Sequence, residues 1–240
     1  MSDAIDTNLY SRQIGTYGME TMGKLIQMKV LISGLRGLGV EIAKNLILAG
    51  PAKVLLHDDA DIEIRDLGAN FYLTEEDLKM KKTRAEACQA QLAELNPYVA
   101  VEVHKGPITE ELIRNFSLIV LTESSQSEMI RLNKLCRSGS VGFIAANCFG
   151  LAASVFVDFG DAFTCRDKDG EEPRSAIVSG ITWENPGTVH THQDRRHGFQ
   201  DGDFVVFREV MGMTELNDGK PRQIKVSGRW GKVMGIYIYI

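Results

Sequence analysis

No Cys-x-x-Cys pair occurs among the four cysteines, Cys88, Cys136, Cys148 and Cys165. Their scatter excludes the common zinc spacings and gives no disulfide framework; reduced thiols in the cytoplasm or nucleus are the simplest reading. No apolar run approaches the roughly 20 residues of a membrane span. The opening Met1-Ser-Asp-Ala-Ile-Asp6 is too polar for a signal peptide. A basic stripe is missing as well. The net charge is -5 and the pI about 5.6, which argues against broad nucleic-acid binding. The five histidines share no helix face with one another or with a carboxylate in a metal pattern. No cysteine stands in a visibly electropositive setting. The residues show no catalytic constellation of their own.

What is present starts with Val30-Leu-Ile-Ser-Gly-Leu-Arg-Gly-Leu-Gly-Val-Glu-Ile-Ala-Lys-Asn45. It reads as a buried strand, a glycine turn and the first turns of a helix. Such a turn can cradle phosphate with backbone N–H groups at the helix N-terminus. Gly34 and Gly39 hold the first and third positions of the glycine fingerprint, but the middle one is Arg36. The middle glycine lets the backbone touch a pyrophosphate, and an arginine side chain blocks that approach. The reading is a nucleotide-binding fold without a working nucleotide site.

Residues 1–150 alternate apolar strands (28–33, 53–57, 99–104, 117–122, 141–146) with helical patterns (16–27, 39–49, 82–95, 126–138). That alternation predicts an α/β, Rossmann-like, mostly parallel sheet with helices on both faces. After Gly150 the helical period vanishes. Short β-rich runs, Ala153–Asp158 first among them, are separated by turns such as Asn185-Pro-Gly187 and Asn217-Asp-Gly219. Residues 151–240 are expected to form a small antiparallel β-barrel domain packed on the first. The apolar end, Gly235-Ile-Tyr-Ile-Tyr-Ile240, would need a covering partner, and a longer parent protein is expected.

Several residues admit two readings. Asp58-Asp59 follows the second strand; a carboxylate there either bonds ribose hydroxyls or solvates a strand end. Arg12 is by itself an ordinary surface charge or a functional group. Lys79, Lys81, Lys82 and Arg84 read as the exposed start of an amphipathic helix, although the helix dipole disfavours cations there. Arg195–Gly202 is either a plain turn or a protein contact built around an exposed Phe199.

In order along the chain stand Tyr10-Ser-Arg-Gln13, the glycine turn, Asp66-Leu67 with Phe71-Tyr-Leu-Thr-Glu-Glu-Asp77, and Leu92-Ala-Glu-Leu-Asn96. Val157-Asp-Phe-Gly160, Arg196-His-Gly-Phe199 and Gly202-Asp-Phe204 continue the series. Together they resemble the N-terminal part of the ubiquitin-activating enzymes, from about Leu9 to about residue 228. The resemblance implies an inactive adenylation domain, interrupted by the first catalytic-cysteine half-domain. It implies that ATP and Mg are bound by an active adenylation domain outside this chain, which pairs with it. Ala69 stands where the active domain has a phosphate-binding arginine, and Glu123 is nearest its magnesium-binding aspartate. Arg12 is implied to reach the partner domain's ATP as an arginine finger, and Arg196, Gln200 and Asp201 to contact ubiquitin. The full protein would adenylate the ubiquitin C-terminus, form a cysteine thioester and pass ubiquitin to a conjugating enzyme. None of the four cysteines matches that nucleophile. Activation of another ubiquitin-like modifier, and an NAD-dependent oxidoreductase, are the alternatives.

Overall fold

A computed structural model describes residues 6–165, 170, 174–192, 197–227 and 235–238, the last four as backbone only. It divides into two compact units, Met1–Thr164 and Cys165–Ile240.

In the first unit the chain runs α1 (Ser11–Leu25), β1 (Lys29–Ser33), α2 (Gly37–Ala49) and β2 (Lys53–His57). A 3-10 turn at Ile64–Gly68 leads to α3 (Glu75–Lys79), α4 (Arg84–Glu94), β3 (Ala100–Val103) and α5 (Glu110–Ile113). Then come β4 (Leu118–Thr122), α6 (Gln126–Gly139), β5 (Gly142–Phe149) and β6 (Ala152–Asp158). The sheet order is β3-β2-β1-β4-β5-β6, parallel except for β6. Strands buried on both faces explain the near-continuous apolar runs in the sequence. Val30, Ile32, Val54 and Leu56 pack one face against Val40, Ala43 and Ile47 of α2 and Cys88 and Leu92 of α4. Leu31, Leu55, Ile119 and Phe143 pack the other against Ile113 of α5 and Leu132 and Cys136 of α6.

The helix starts follow local chemistry. Thr83 accepts a hydrogen bond from the Glu86 N–H while Glu86 reaches back to the Thr83 N–H, a reciprocal cap that fixes where α4 begins. Ser125 caps α6 through the Glu128 N–H. Gly50 closes α2 at φ 90°, a left-handed conformation that costs glycine nothing.

The expected boundary at residue 150 is displaced. It falls in the turn between β5 and β6, and β6 pairs antiparallel with β5 from Phe143–Asp158 to Phe149–Ala152. The first compact unit therefore runs through Thr164. A period-2 run cannot say which sheet its strand will join, and this one closes the edge of the first.

The second unit holds β7 (Val178–Ile181), β8 (Gly187–Thr191), β9 (Phe204–Val205), a 3-10 turn at Thr214–Asn217, β10 (Arg222–Ser227) and β11 (Gly235–Ile238). They form one antiparallel sheet ordered β7-β8-β11-β10-β9. Val189, Phe207, Met213, Leu216 and Ile224 are its core. Pairing of β7 with β9, which would close a barrel, is not seen among the described residues.

Candidate functional site

The strand order reverses between β1 and β4, and in such sheets ligands bind in the crevice beyond the strand ends at that point. A cavity of about 380 Å³ lies there, lined by residues that follow β1, β2 and β4. A second hollow of about 380 Å³ lies over the start of α2, lined by Gly37, Leu38, Ala69 and Cys148 among others. Arg36 and Glu123 line both. Their side chains form an ion pair at 3.6 Å. The crevice is thus cut in two across the path from the strand ends to the helix N-terminus.

The two retained glycines hold the turn together. Gly34 has φ 93°, and a Cβ on it would lie 2.5 Å from the Thr122 hydroxyl. A Cβ on Gly39 would lie 1.8 Å from the Gly34 carbonyl oxygen. A Cβ on Gly37 would meet the Ala69 Cβ at 2.9 Å. These glycines are required by packing of the turn, whether or not a phosphate is bound.

Behind Arg36 stands a cluster the sequence did not reveal. Arg84 is 3% exposed. Its guanidinium donates to Asp66 at 2.7 Å and to Asp58 and Glu63 at 3.4 Å. Arg36 adds looser pairs to Glu63 at 3.5 Å and Asp66 at 3.6 Å. Burial opposes the charge on Arg84, but the Asp66 hydrogen bond and the field of Asp58 outweigh it and raise its pKa. Arg84 is therefore no part of an exposed basic run. Its partners lie 18 to 26 residues away, so no local pattern could have disclosed them.

Asp58 also accepts the Leu35 N–H at 2.8 Å and the Ala60 N–H at 3.1 Å. Its carboxylate is spent on holding the glycine turn and Arg84. Beside it, His57 accepts from or donates to Ser33 Oγ through Nδ1 at 2.9 Å, while Nε2 meets the Gly106 carbonyl at 3.0 Å. A carbonyl only accepts, so the neutral ring carries its proton on Nε2 and Ser33 donates to Nδ1. Among the described residues no three His, Cys, Asp or Glu side chains converge into a metal-holding group. A divided crevice, a spent Asp58 and cations already paired with carboxylates do not fit a nucleoside triphosphate with its metal.

Comparison with known proteins decides the family. The model of the ThiF family matches residues 10–202. The chain belongs to the ThiF family. The model of the ubiquitin-activating enzyme E1 FCCH domain matches residues 184–231. The chain is 49% identical over 223 residues to ubiquitin-activating enzyme E1 1 of Triticum aestivum, covering 92% of this chain and 21% of that protein. It is 47% identical over 224 residues to ubiquitin-like modifier-activating enzyme 1 of Oryctolagus cuniculus, covering 93% and 21%. The chain is homologous to the N-terminal part of these enzymes and spans about one fifth of their length. Among solved structures, E. coli MccB with succinimide superposes with a TM-score of 0.54 at 22% identity, over 62% of this chain and 49% of that one. A selenomethionine form of PaaA gives 0.55 at 20%, over 65% and 52%. At such identities these show the fold alone.

In this ThiF-family chain Arg12 is not among the residues that line either hollow. It lies in the first turn of α1, exposed, with no side-chain hydrogen bond or ion pair among the described residues. Tyr10 fixes its place. That ring is buried, its hydroxyl accepts from Asn96 Nδ2 at 3.1 Å, and the same amide donates to the Ile47 carbonyl at 3.1 Å. A Cβ on Gly50 would meet the Tyr10 hydroxyl at 2.5 Å. Tyr10 is thus pinned at the C-terminal end of α2, about 20 Å along the helix from the glycine turn. The structure does not bring Arg12 and the glycine turn together.

In the second unit, Arg196 lies outside the described residues. Gln200 and Asp201 are exposed at the tip of a tight loop. The Gln200 N–H donates to Asp203 Oδ2 at 2.8 Å, and Asp201 Oδ1 accepts the Val226 N–H at 2.6 Å. Phe199, expected from the sequence to be exposed, is half-buried. It packs against the core of the unit and stacks on buried His197 at 5.5 Å.

Proposed function

We propose that this chain is the non-catalytic N-terminal part of an ATP-dependent ubiquitin-activating enzyme. The full protein adenylates the ubiquitin C-terminus, carries ubiquitin as a cysteine thioester and delivers it to a conjugating enzyme. The observation that carries the reading is a ThiF match followed by an FCCH match along this chain, which is 49% identical over 223 residues to a ubiquitin-activating enzyme. Arg36 and Glu123, closing the chain's own crevice, support the scaffold role. ATP and Mg are then held by an active adenylation domain elsewhere in the full protein.

In this reading Arg12 supplies positive charge from outside to the triphosphate held by that domain, offsetting charge that develops as the phosphoryl bond breaks. Its exposed guanidinium, unpaired among the described residues and set on a Tyr10 anchor, supports this. The second unit is the first catalytic-cysteine half-domain, a small barrel whose Arg196, Gln200 and Asp201 contact ubiquitin. The tied-down loop tip supports a preorganised contact. Four scattered cysteines that give no disulfide framework suit a cytoplasmic and nuclear protein.

The test is ATP–pyrophosphate exchange with ubiquitin present. The isolated chain is expected to give none, and the full-length protein to give ubiquitin-dependent exchange. Exchange by the isolated chain overturns the scaffold role. Charging of a different purified modifier in preference to ubiquitin overturns the substrate.

A further inference from the structure

The turn that bears Arg12 is fixed from one side. Between Tyr10 and Met22 no residue is buried. Within that stretch α1 is broken at Gly18, whose φ 78° and ψ 160° are not helical. A helix broken there carries no fixed orientation from Met22 back to Arg12. The Ile14 N–H donates to the Tyr10 carbonyl at 2.8 Å, so the first turn of α1 is built directly on Tyr10. The placement of Arg12 therefore depends on what holds Tyr10 and the residues before it.

Two fastenings hold them, and both come from the loop between α4 and β3. Asn96 is 5% exposed. Its Nδ2 donates to the Tyr10 hydroxyl and to the Ile47 carbonyl, and its Oδ1 accepts the Tyr98 N–H at 3.1 Å. The Val99 N–H donates to the Asn96 carbonyl at 3.1 Å and closes the loop. Four residues before Tyr10, Asp6 accepts the Asn8 and Leu9 N–H groups through Oδ1 at 3.0 Å. The Tyr98 hydroxyl donates to the other oxygen, Oδ2, at 3.1 Å. The Leu9 N–H first, and the Tyr98 hydroxyl second, hold the Asp6 carboxyl below its ordinary value. Leu9, Tyr17 and Met19 are half exposed or more. The arm is thus held by directional hydrogen bonds more than by apolar burial, and such bonds fix geometry.

We propose that Asn96 and Tyr98 are positioning residues for Arg12. Their loop clasps the arm at Tyr10 and at Asp6, and so sets where the exposed guanidinium stands when the triphosphate of the partner domain meets it. The proposal rests on the role of Arg12 at that triphosphate. The clasp itself can be read in this chain alone.

In the full-length protein, ATP–pyrophosphate exchange is measured for Asn96→Ala and Tyr98→Phe, each alone and each combined with Arg12→Ala. Alone, Asn96→Ala is expected to lower exchange about fivefold and the exposed, fold-neutral Tyr98→Phe about threefold, because a misplaced group loses much of its effect. With Arg12 already removed, neither is expected to lower it further by more than about 1.5-fold. A merely structural loss would be carried over in full. In the 240-residue chain, limited trypsin digestion is followed by mass spectrometry. Cleavage after Arg12 is expected to be about fivefold faster in both variants, relative to cleavage after Lys134 in α6. Unaccelerated cleavage after Arg12 in both overturns the clasp. Undiminished exchange in both single variants, or an equal loss with and without Arg12, overturns the positioning role. Exchange within about twofold of wild type for Arg12→Ala itself removes the role of Arg12 at ATP, and this proposal with it.

Discussion

Replacing Arg84 with methionine keeps much of the side-chain volume and removes a charge that three carboxylates share. The Asp66 side chain is 2% exposed and loses its 2.7 Å partner. It retains the Glu63 N–H at 2.9 Å, which leaves a buried anion with one good donor. Removing one partner of a buried pair costs about 3–5 kcal/mol. Arg36 stays within 3.6 Å of Asp66, and Asp58 keeps the Leu35 and Ala60 N–H groups, so the lower part of that range is expected. With a urea slope of about 2–3 kcal/mol per molar, the midpoint falls by about 1–2 M. The two units can be read separately. Every described α-helix lies in the first unit. Both tryptophans, Trp183 and Trp230, lie in the second. Far-ultraviolet circular dichroism should show the shift, and tryptophan fluorescence should not. Adding Asp66→Asn removes the stranded charge while keeping an acceptor for Glu63, and should recover more than half of the loss. The exposed pair Arg114–Glu110 is the control, worth less than about 1 kcal/mol. A dichroism midpoint within about 0.3 M of wild type for Arg84→Met would refute the buried-cluster account. So would equal loss without recovery in the double variant.

Four further outcomes are expected. In the full-length protein Arg12→Ala should lower ATP–pyrophosphate exchange at least about tenfold with unchanged melting; exchange within about twofold would remove its role at ATP. Gly39→Ala should destabilise the first unit by more than about 3 kcal/mol, since its Cβ overlaps the Gly34 carbonyl; a near-native urea midpoint would contradict that packing. Native thiol titration at mildly alkaline pH should label exposed Cys148 and Cys165 and spare Cys88 and Cys136, whose burial pushes both to about 11. Fast labelling of four thiols would show a looser core. Lys105 and then Thr83 hold the Glu86 carboxyl down from 4.5 to about 2. A depressed carboxyl lends stability above its unfolded pKa and loses it as pH falls through the folded one. The acid-unfolding profile of Glu86→Gln should therefore be shallower between about pH 4.5 and about 2, and an identical profile would count against the cap.

The parallel sheet was legible because its central strands β1, β2 and β4 are buried on both faces, so Val30–Ile32 or Leu118–Leu121 reads as one apolar run. Helices α2, α4 and α6 were legible for the complementary reason, their caps and apolar period being local. Short α3 and α5 were missed, since five and four residues carry too little period. The β6 strand was seen but assigned to the wrong sheet, because strand pairing is a non-local choice. Gly34, Gly39 and Arg36 spoke from sequence, since sterics at a turn depend on neighbours. Arg84 did not. A buried arginine and an exposed one have the same spelling, and only the fold brings Asp58, Glu63 and Asp66 to it.

The Tyr10–Asn96–Gly50 anchor has a consequence for how such a chain changes over generations. It shares no side chain with the glycine turn, and a helix separates the two. Sites that far apart respond to substitution independently. Substitutions in the glycine turn could therefore accumulate without touching the position of Arg12. A fold built this way can change at one end of a helix while the other end holds its place.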